Sequence, residues 1–226
     1  MAPSTPSLEP ASPLYVFSAE FESMVQYASR GDRASFAQAY LDPIQALARS
    51  PAKPIIDGVV VGAILAPKVA KQLENALKPT GVRFLHVADF LARHFKSEVP
   101  HVKTLGLIGP KVTMRGAEDP DFVIRRLQAS ENGLRILVPE SEASVDKINR
   151  GMMEEVARGA ANVTAATKAM FVHEAKALVD RRGQAIILGS TGLGFVISQE
   201  DVGAGVPLMN AATMHAEGVT NWAIDP

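Results

Sequence analysis

Short apolar runs alternate with amphipathic stretches along most of this chain. Leu14–Ser18 is short and β-prone, and Glu20–Ala28 and Asp32–Arg49 have helical spacing, with Asp32 as the N-cap of the second. Ile56-Asp-Gly-Val-Val-Val-Gly62 is a nearly continuous apolar run, the pattern of a strand covered on both faces. A helix over Pro67–Leu77 with proline at its start, a strand over Arg83–Val87 and a helix over Ala88–Lys96 follow. The pattern then restarts. Thr104–Gly109 reads as a strand stopped by Pro110, a helix opens near Asp119-Pro120, and Leu134–Val138 is a strand stopped by Pro139. In the next helix Val145, Ile148, Met152 and Val156 recur at steps of three and four, and Gly159 closes it. Thr164–Arg182 is a longer helix ended by Gly183, Gln184–Leu188 a strand, and a last helix from Ala211 carries Met214, Val219 and Trp222.

Strands that alternate with helices predict an α/β fold, with parallel sheets flanked by helices. The restart divides the chain into a Pro/Ser-rich arm over residues 1–13 that reads as disordered, a first lobe over 14–101 and a second over 102–226. Sites in such folds lie at the carboxyl ends of strands, and a cleft between lobes is the usual pocket. The turns at 62–67, 109–113 and 189–192 all occupy such ends.

Composition narrows the function classes. A formal net charge of −1 argues against nucleic acid or an anionic membrane as partner. No apolar run approaches the roughly 18–20 residues of a membrane span. The N-terminal residues lack the basic and apolar regions of a signal peptide, so a cytoplasmic location is expected. The five histidines have no ligand spacing, so no metal site is expected. No Gly-x-Gly-x-x-Gly, P-loop or Gly-x-Ser-x-Gly motif occurs, so no cofactor is indicated. The chain contains no cysteine.

Several segments carry a more specific signal. Val102–Met114 resembles the strand and threonine loop that open the second lobe of the aspartate/glutamate racemase family. Ile136-Leu-Val-Pro-Glu140, Met152–Gly159, Thr164-Ala-Ala-Thr-Lys168, Gln199–Val202, Val206-Pro-Leu208 and His215-Ala216 follow in the family's order. Ile186-Ile-Leu-Gly-Ser-Thr191 stands where the family has Ile-Leu-Gly-Cys-Thr. The first lobe is matched less fully. Ser18-Ala-Glu-Phe21 and Leu85-His-Val-Ala-Asp89 are similar to family segments, whereas the family's first strand and Gly-rich loop have no counterpart, their place being taken by the Pro/Ser arm.

The resemblance implies two flavodoxin-like α/β lobes, the first trimmed, and a dimer. A missing strand leaves an open sheet edge, which the arm, another chain or a rearranged sheet is expected to cover. The resemblance also implies amino-acid racemisation without a cofactor. One thiolate removes the α-proton while a facing thiol returns one, chemistry suited to a thiol whose pKa of about 8.5 neighbours can tune. Here the two cysteine positions are Ala63 and Ser190, Ile64 and Pro67 replace the family's Asn and His, and Gly192 replaces its acid or histidine. Two-base racemisation is therefore expected to be lost. Retained groups that suit a small carboxylate or acidic amino acid are Thr113, Ser190, Thr191, Arg158 and His215. Each has a plainer reading. Thr113 serves as a local cap, Arg158 as a helix-end cation, Ser190 as a turn residue and His215 as an anchor of the last helix. Three functions stay open: a carboxylate-binding pseudo-racemase, a protein-interaction module on the same fold, and an active racemase or isomerase with a non-cysteine mechanism.

Overall fold

The computed structural model describes residues 14–48, 56–62, 69–116, 122–129 and 131–224. The arm over 1–13 and Ala63, Ile64 and Pro67 lie outside the described residues. Two parallel sheets are present. The first pairs β1 (Gly58–Val59) with β2 (Arg83–Phe84). The second has the order β4-β3-β5-β6, built from β3 (Thr104–Ile108), β4 (Arg135–Leu137), β5 (Ala185–Leu188) and β6 (Leu208–Asn210).

The period-2 geometry of the strands decides how the second sheet is covered. Leu105, Leu107, Ala185 and Ile187 point to one face, where they join a core with α4 (Val87–Ser97), α6 (Val123–Leu127) and the start of α10 (Ala211–Ile224). Ile108, Ile186 and Leu188 point to the other, against α7 (Glu142–Glu154) and α8 (Ala165–Asp180). The α7 stripe is buried as its spacing predicts, since Val145, Ile148, Met152 and Val156 all lie in this second core. Gly106 is small for a reason: a Cβ there would stand 2.5 Å from Ile186 Cδ1 and 3.0 Å from Leu178 Cβ.

A third core holds α1 (Phe21–Arg30), α2 (Arg33–Ala48) and α3 (Ala70–Leu77) on the first sheet through Phe36, Leu41, Val59, Leu73 and Leu77. Asp32 caps α2 as expected, its carboxylate accepting from the Ser35 amide at 3.0 Å. Two helices tie the sheets together. α4 follows the first sheet in sequence yet packs beneath the second, through Leu91, Phe95 and their neighbours. α10 follows the second sheet and returns to the first, where Trp222 lies against Gly58 and under the Arg83 guanidinium, 5.4 Å from the ring centroid.

Several elements differ from the sequence reading. Leu14–Ser18 forms no strand, and Leu14, Val16 and Phe17 are exposed. A strand needs a ladder partner as well as β-prone side chains, and none of the described residues pairs with this segment. The strands read over 56–62 and 83–87 shrink to two residues each, because among the described residues the first sheet offers each only one neighbour. A short helix, α5 (Lys111–Met114), occupies what reads as a turn. Side chains of α7 hold it: Asn149 Oδ1 accepts from the Lys111 amide at 2.9 Å, and Glu142 and Asp146 bind the Lys111 ammonium at 2.6 and 2.7 Å.

Candidate functional site

The carboxyl ends of β3 and β5 meet at two glycines. The Gly189 amide donates to the Ile108 carbonyl at 2.7 Å. A Cβ on Gly109 would stand 2.7 Å from the Gly189 carbonyl oxygen, and one on Gly189 would stand 2.8 Å from Leu107 Cδ1 and 3.4 Å from Thr113 Cγ2. Only glycine at both positions lets the strand ends approach this closely. The approach sets Thr113, on α5, beside the Gly189-Ser190-Thr191 turn.

Within that turn Ser190 Oγ accepts a long, 3.4 Å hydrogen bond from the Gly192 amide. Ser190 is half-buried and Thr191 exposed. Thr113 is fully buried, and its hydroxyl has no hydrogen-bond partner among the described residues. A buried hydroxyl left unpaired costs about 1–3 kcal/mol, so a ligand oxygen that accepted from it would recover free energy the protein alone forgoes.

Arg158 reaches the same end of the sheet from α7. The helix tightens into a 3₁₀ turn over Val156–Arg158, and Gly159, at φ 104° and ψ 149°, ends it in a conformation only glycine adopts readily. Val156 Cγ1 would lie 2.6 Å from a Cβ on Gly192, so this turn abuts the Ser190 loop. The Arg158 guanidinium is exposed and makes no ion pair among the described residues. Behind it Glu155 accepts from the Thr164 amide at 2.7 Å and from the Thr167 hydroxyl at 2.6 Å, bonds that hold its carboxyl below the usual range.

The loop after Ser190 is braced by residues whose roles the sequence reading did not assign. Lys168 pairs with Asp201 at 3.0 Å, joining the start of α8 to α9 (Gln199–Val202). The Asp201 carboxyl is held below its ordinary range, first by the Ser198 amide and then by Lys168. Gln199 bridges the Gly203 and Val206 carbonyls and the Leu208 amide, fixing the approach to β6. Asn210 ends β6 and caps α10 through the Ala212 amide at 3.0 Å. The matched segments Thr164–Lys168 and Gln199–Val202 were the available signal, but their pairing is a tertiary fact.

His215 stands apart from this group. It is buried on α10 and its Nε2 lies 2.8 Å from the Leu85 carbonyl at the end of β2, so it donates across the two sheets. Burial foremost lowers its pKa, opposed by that bond and by Asp89, so the ring is neutral at neutral pH. His86 is also buried and caps α4, its Nδ1 accepting from the Ala88 amide at 3.0 Å. Among the described residues no three His, Asp or Glu side chains are grouped to hold a metal ion, and no helix is long and apolar enough to cross a membrane.

The structure therefore sets Thr113 beside the Ser190-Thr191 turn, packs the 3₁₀ turn that carries Arg158 against the same loop through Val156, and sets His215 in a strut. Comparison with solved structures gives this arrangement a setting. A candidate Asp/Glu racemase from Yersinia pestis is 25% identical and superposes with a TM-score of 0.75, covering 92% of this chain and 83% of its own. An aspartate racemase homologue from Pyrococcus horikoshii is 24% identical with a TM-score of 0.70, covering 98% and 87%. Glutamate racemase from Francisella tularensis, solved with D-glutamate, is 14% identical with a TM-score of 0.55, covering 87% and 65%. No family model matches the sequence. The α/β fold with two parallel sheets is that of the Asp/Glu racemase structures, and the likeness extends over most of the chain.

Proposed function

We propose that this protein uses the racemase fold to bind a small carboxylate at the carboxyl end of the second sheet and does not invert it. One observation carries the reading: a chain that shares this fold has no cysteine anywhere in its sequence. Inversion at an α-carbon needs a base on one face and an acid on the other, both near neutral pKa. A thiol, at about 8.5, is within reach of such tuning. The Ser190 hydroxyl is not, and its contact within the turn is a backbone amide rather than a base. Ala63, at the second position, has no proton to exchange.

What survives is binding chemistry. Thr113 offers a buried hydroxyl without a partner among the described residues, Thr191 an exposed one, and Arg158 a guanidinium that makes no ion pair among the described residues and suits bidentate recognition of a carboxylate. The D-glutamate held by the Francisella enzyme supports an acidic amino acid or a related dicarboxylate as the ligand class. Isothermal titration with aspartate, glutamate, malate and citrate tests this. Saturable heat with at least one of them, weakened about tenfold or more in Arg158→Gln, is the expected result. Silence with all four would overturn the carboxylate reading and leave a protein-interaction role for the fold.

A further inference from the structure

A second concave site lies away from the strand ends, between α4 and α6. It is a half-open groove of about 510 Å³. Asp89, Arg93 and Lys96 line it from α4, Arg125 and Arg126 from α6, and Glu131 from the turn that follows. Steps of three and four put the α4 residues on one helix face.

The charges in this groove are not balanced internally. Arg126 is committed on one side, with Nη2 on Glu74 Oε1 and Nε 3.8 Å from Asp89 Oδ1. Its Nη1 is nevertheless buried and has no hydrogen-bond partner among the described residues. Arg93 lies 5.6 Å over the Phe90 ring, and neither it, Lys96 nor Arg125 makes an ion pair among the described residues. Arg93, Lys96 and Arg125, none in an ion pair among the described residues, join Arg126 and outnumber the two carboxylates, Asp89 and Glu131, on this concave surface. Like charges at helix spacing repel, so an anion that joined them would be stabilised by all.

The lining also limits what accompanies the anion. Between the cations are Ala92 and Ala129, the Asn132 amide and the two carboxylates, and among the described residues no aromatic ring lines the groove to stack a base. Asp89 and Glu131 are acceptors for hydroxyl groups. We propose that the groove binds a phosphorylated polyol of the sugar-phosphate class, its phosphate held by Arg93, Lys96, Arg125 and Arg126 and its hydroxyls by Asp89, Glu131 and Asn132. The site is separate from the carboxylate site, and neither proposal rests on the other.

Titration of the full chain with glucose 6-phosphate, inorganic phosphate and AMP tests the assignment. Glucose 6-phosphate is expected to bind saturably and more tightly than the other two, and more weakly as salt is raised. Arg93→Gln/Lys96→Gln, both exposed positions on α4, should cut its affinity about tenfold or more without shifting the melting temperature. Lys147→Gln/Arg150→Gln removes the same charge from the exposed face of α7 and should leave the affinity within about twofold, as should Thr191→Val at the strand ends. Absence of saturable binding, tighter binding of AMP, or equal weakening by the α7 control would overturn the proposal. Loss of binding in Thr191→Val would place the anion at the strand ends and overturn it as well.

Discussion

At the residue scale the clearest division is between buried polar groups that have partners among the described residues and those, such as the Thr113 hydroxyl, that do not. His215 is satisfied, since its Nε2 donates to the Leu85 carbonyl at 2.8 Å. His215→Leu would leave that carbonyl unpaired and is expected to cost about 1–3 kcal/mol, read by chemical denaturation. The same residue sets a pH dependence. Its folded-state pKa lies below the ordinary 6.5, so as pH falls below 6.5 the unfolded chain takes up a proton the folded chain resists. Stability present above 6.5 is lost as pH drops toward the folded value, with the Asp89 charge softening the effect. Melting curves between pH 7.5 and 5 should fall more steeply for the natural protein than for His215→Gln. Thr113 is the opposite case. Thr113→Val removes a hydroxyl with no partner among the described residues, so the free protein should be unchanged or slightly stabilised while carboxylate affinity falls. A clear loss of stability in the absence of ligand would show that the hydroxyl serves the fold.

At the element scale, how much could be read from the sequence depended on whether an element carried its own pattern. α7 did, because four apolar residues at helical spacing define a buried stripe without reference to anything else. Three strands of the second sheet did too, β3, β4 and β5, as short apolar runs closed by Pro110, Pro139 and Gly189, whereas β6 was not read as a strand. Leu14–Ser18 looks equally strand-like but stays unpaired, since pairing is a property of two segments. α5 was missed because four residues hold no periodicity, and what fixes them is Asn149, Glu142 and Asp146 on a helix about 30–40 residues away. The glycines at the β3 and β5 ends have no visible purpose until the strands are adjacent. Their close approach predicts that Gly109→Ala, which sets a methyl 2.7 Å from a backbone oxygen, destabilises by about 1–3 kcal/mol. Thermal melting checks this, and a tolerated substitution would mean the strand ends can part.

At the scale of the whole molecule, the two sheets are held by helices that cross between them. α4 carries the first half of the chain into the core of the second sheet, and α10 brings the second half back to Gly58, Arg83 and Leu85. The resemblance to the racemases supplied the succession of segments along the chain and the position of Ser190, but not this exchange of helices, which no local pattern encodes. Nor could it supply the grouping of Thr113 with the Ser190 turn, which depends on two backbones in contact. The fold is shared with Asp/Glu racemase-like structures, and the sequence contains no cysteine. The central claim is that the scaffold persists without proton transfer at carbon. The direct measurement is proton NMR of L- and D-aspartate and L- and D-glutamate incubated with the protein in D₂O. The account predicts that the α-proton signal of all four persists as in protein-free buffer. Exchange of that proton for deuterium at an enzymatic rate would contradict it.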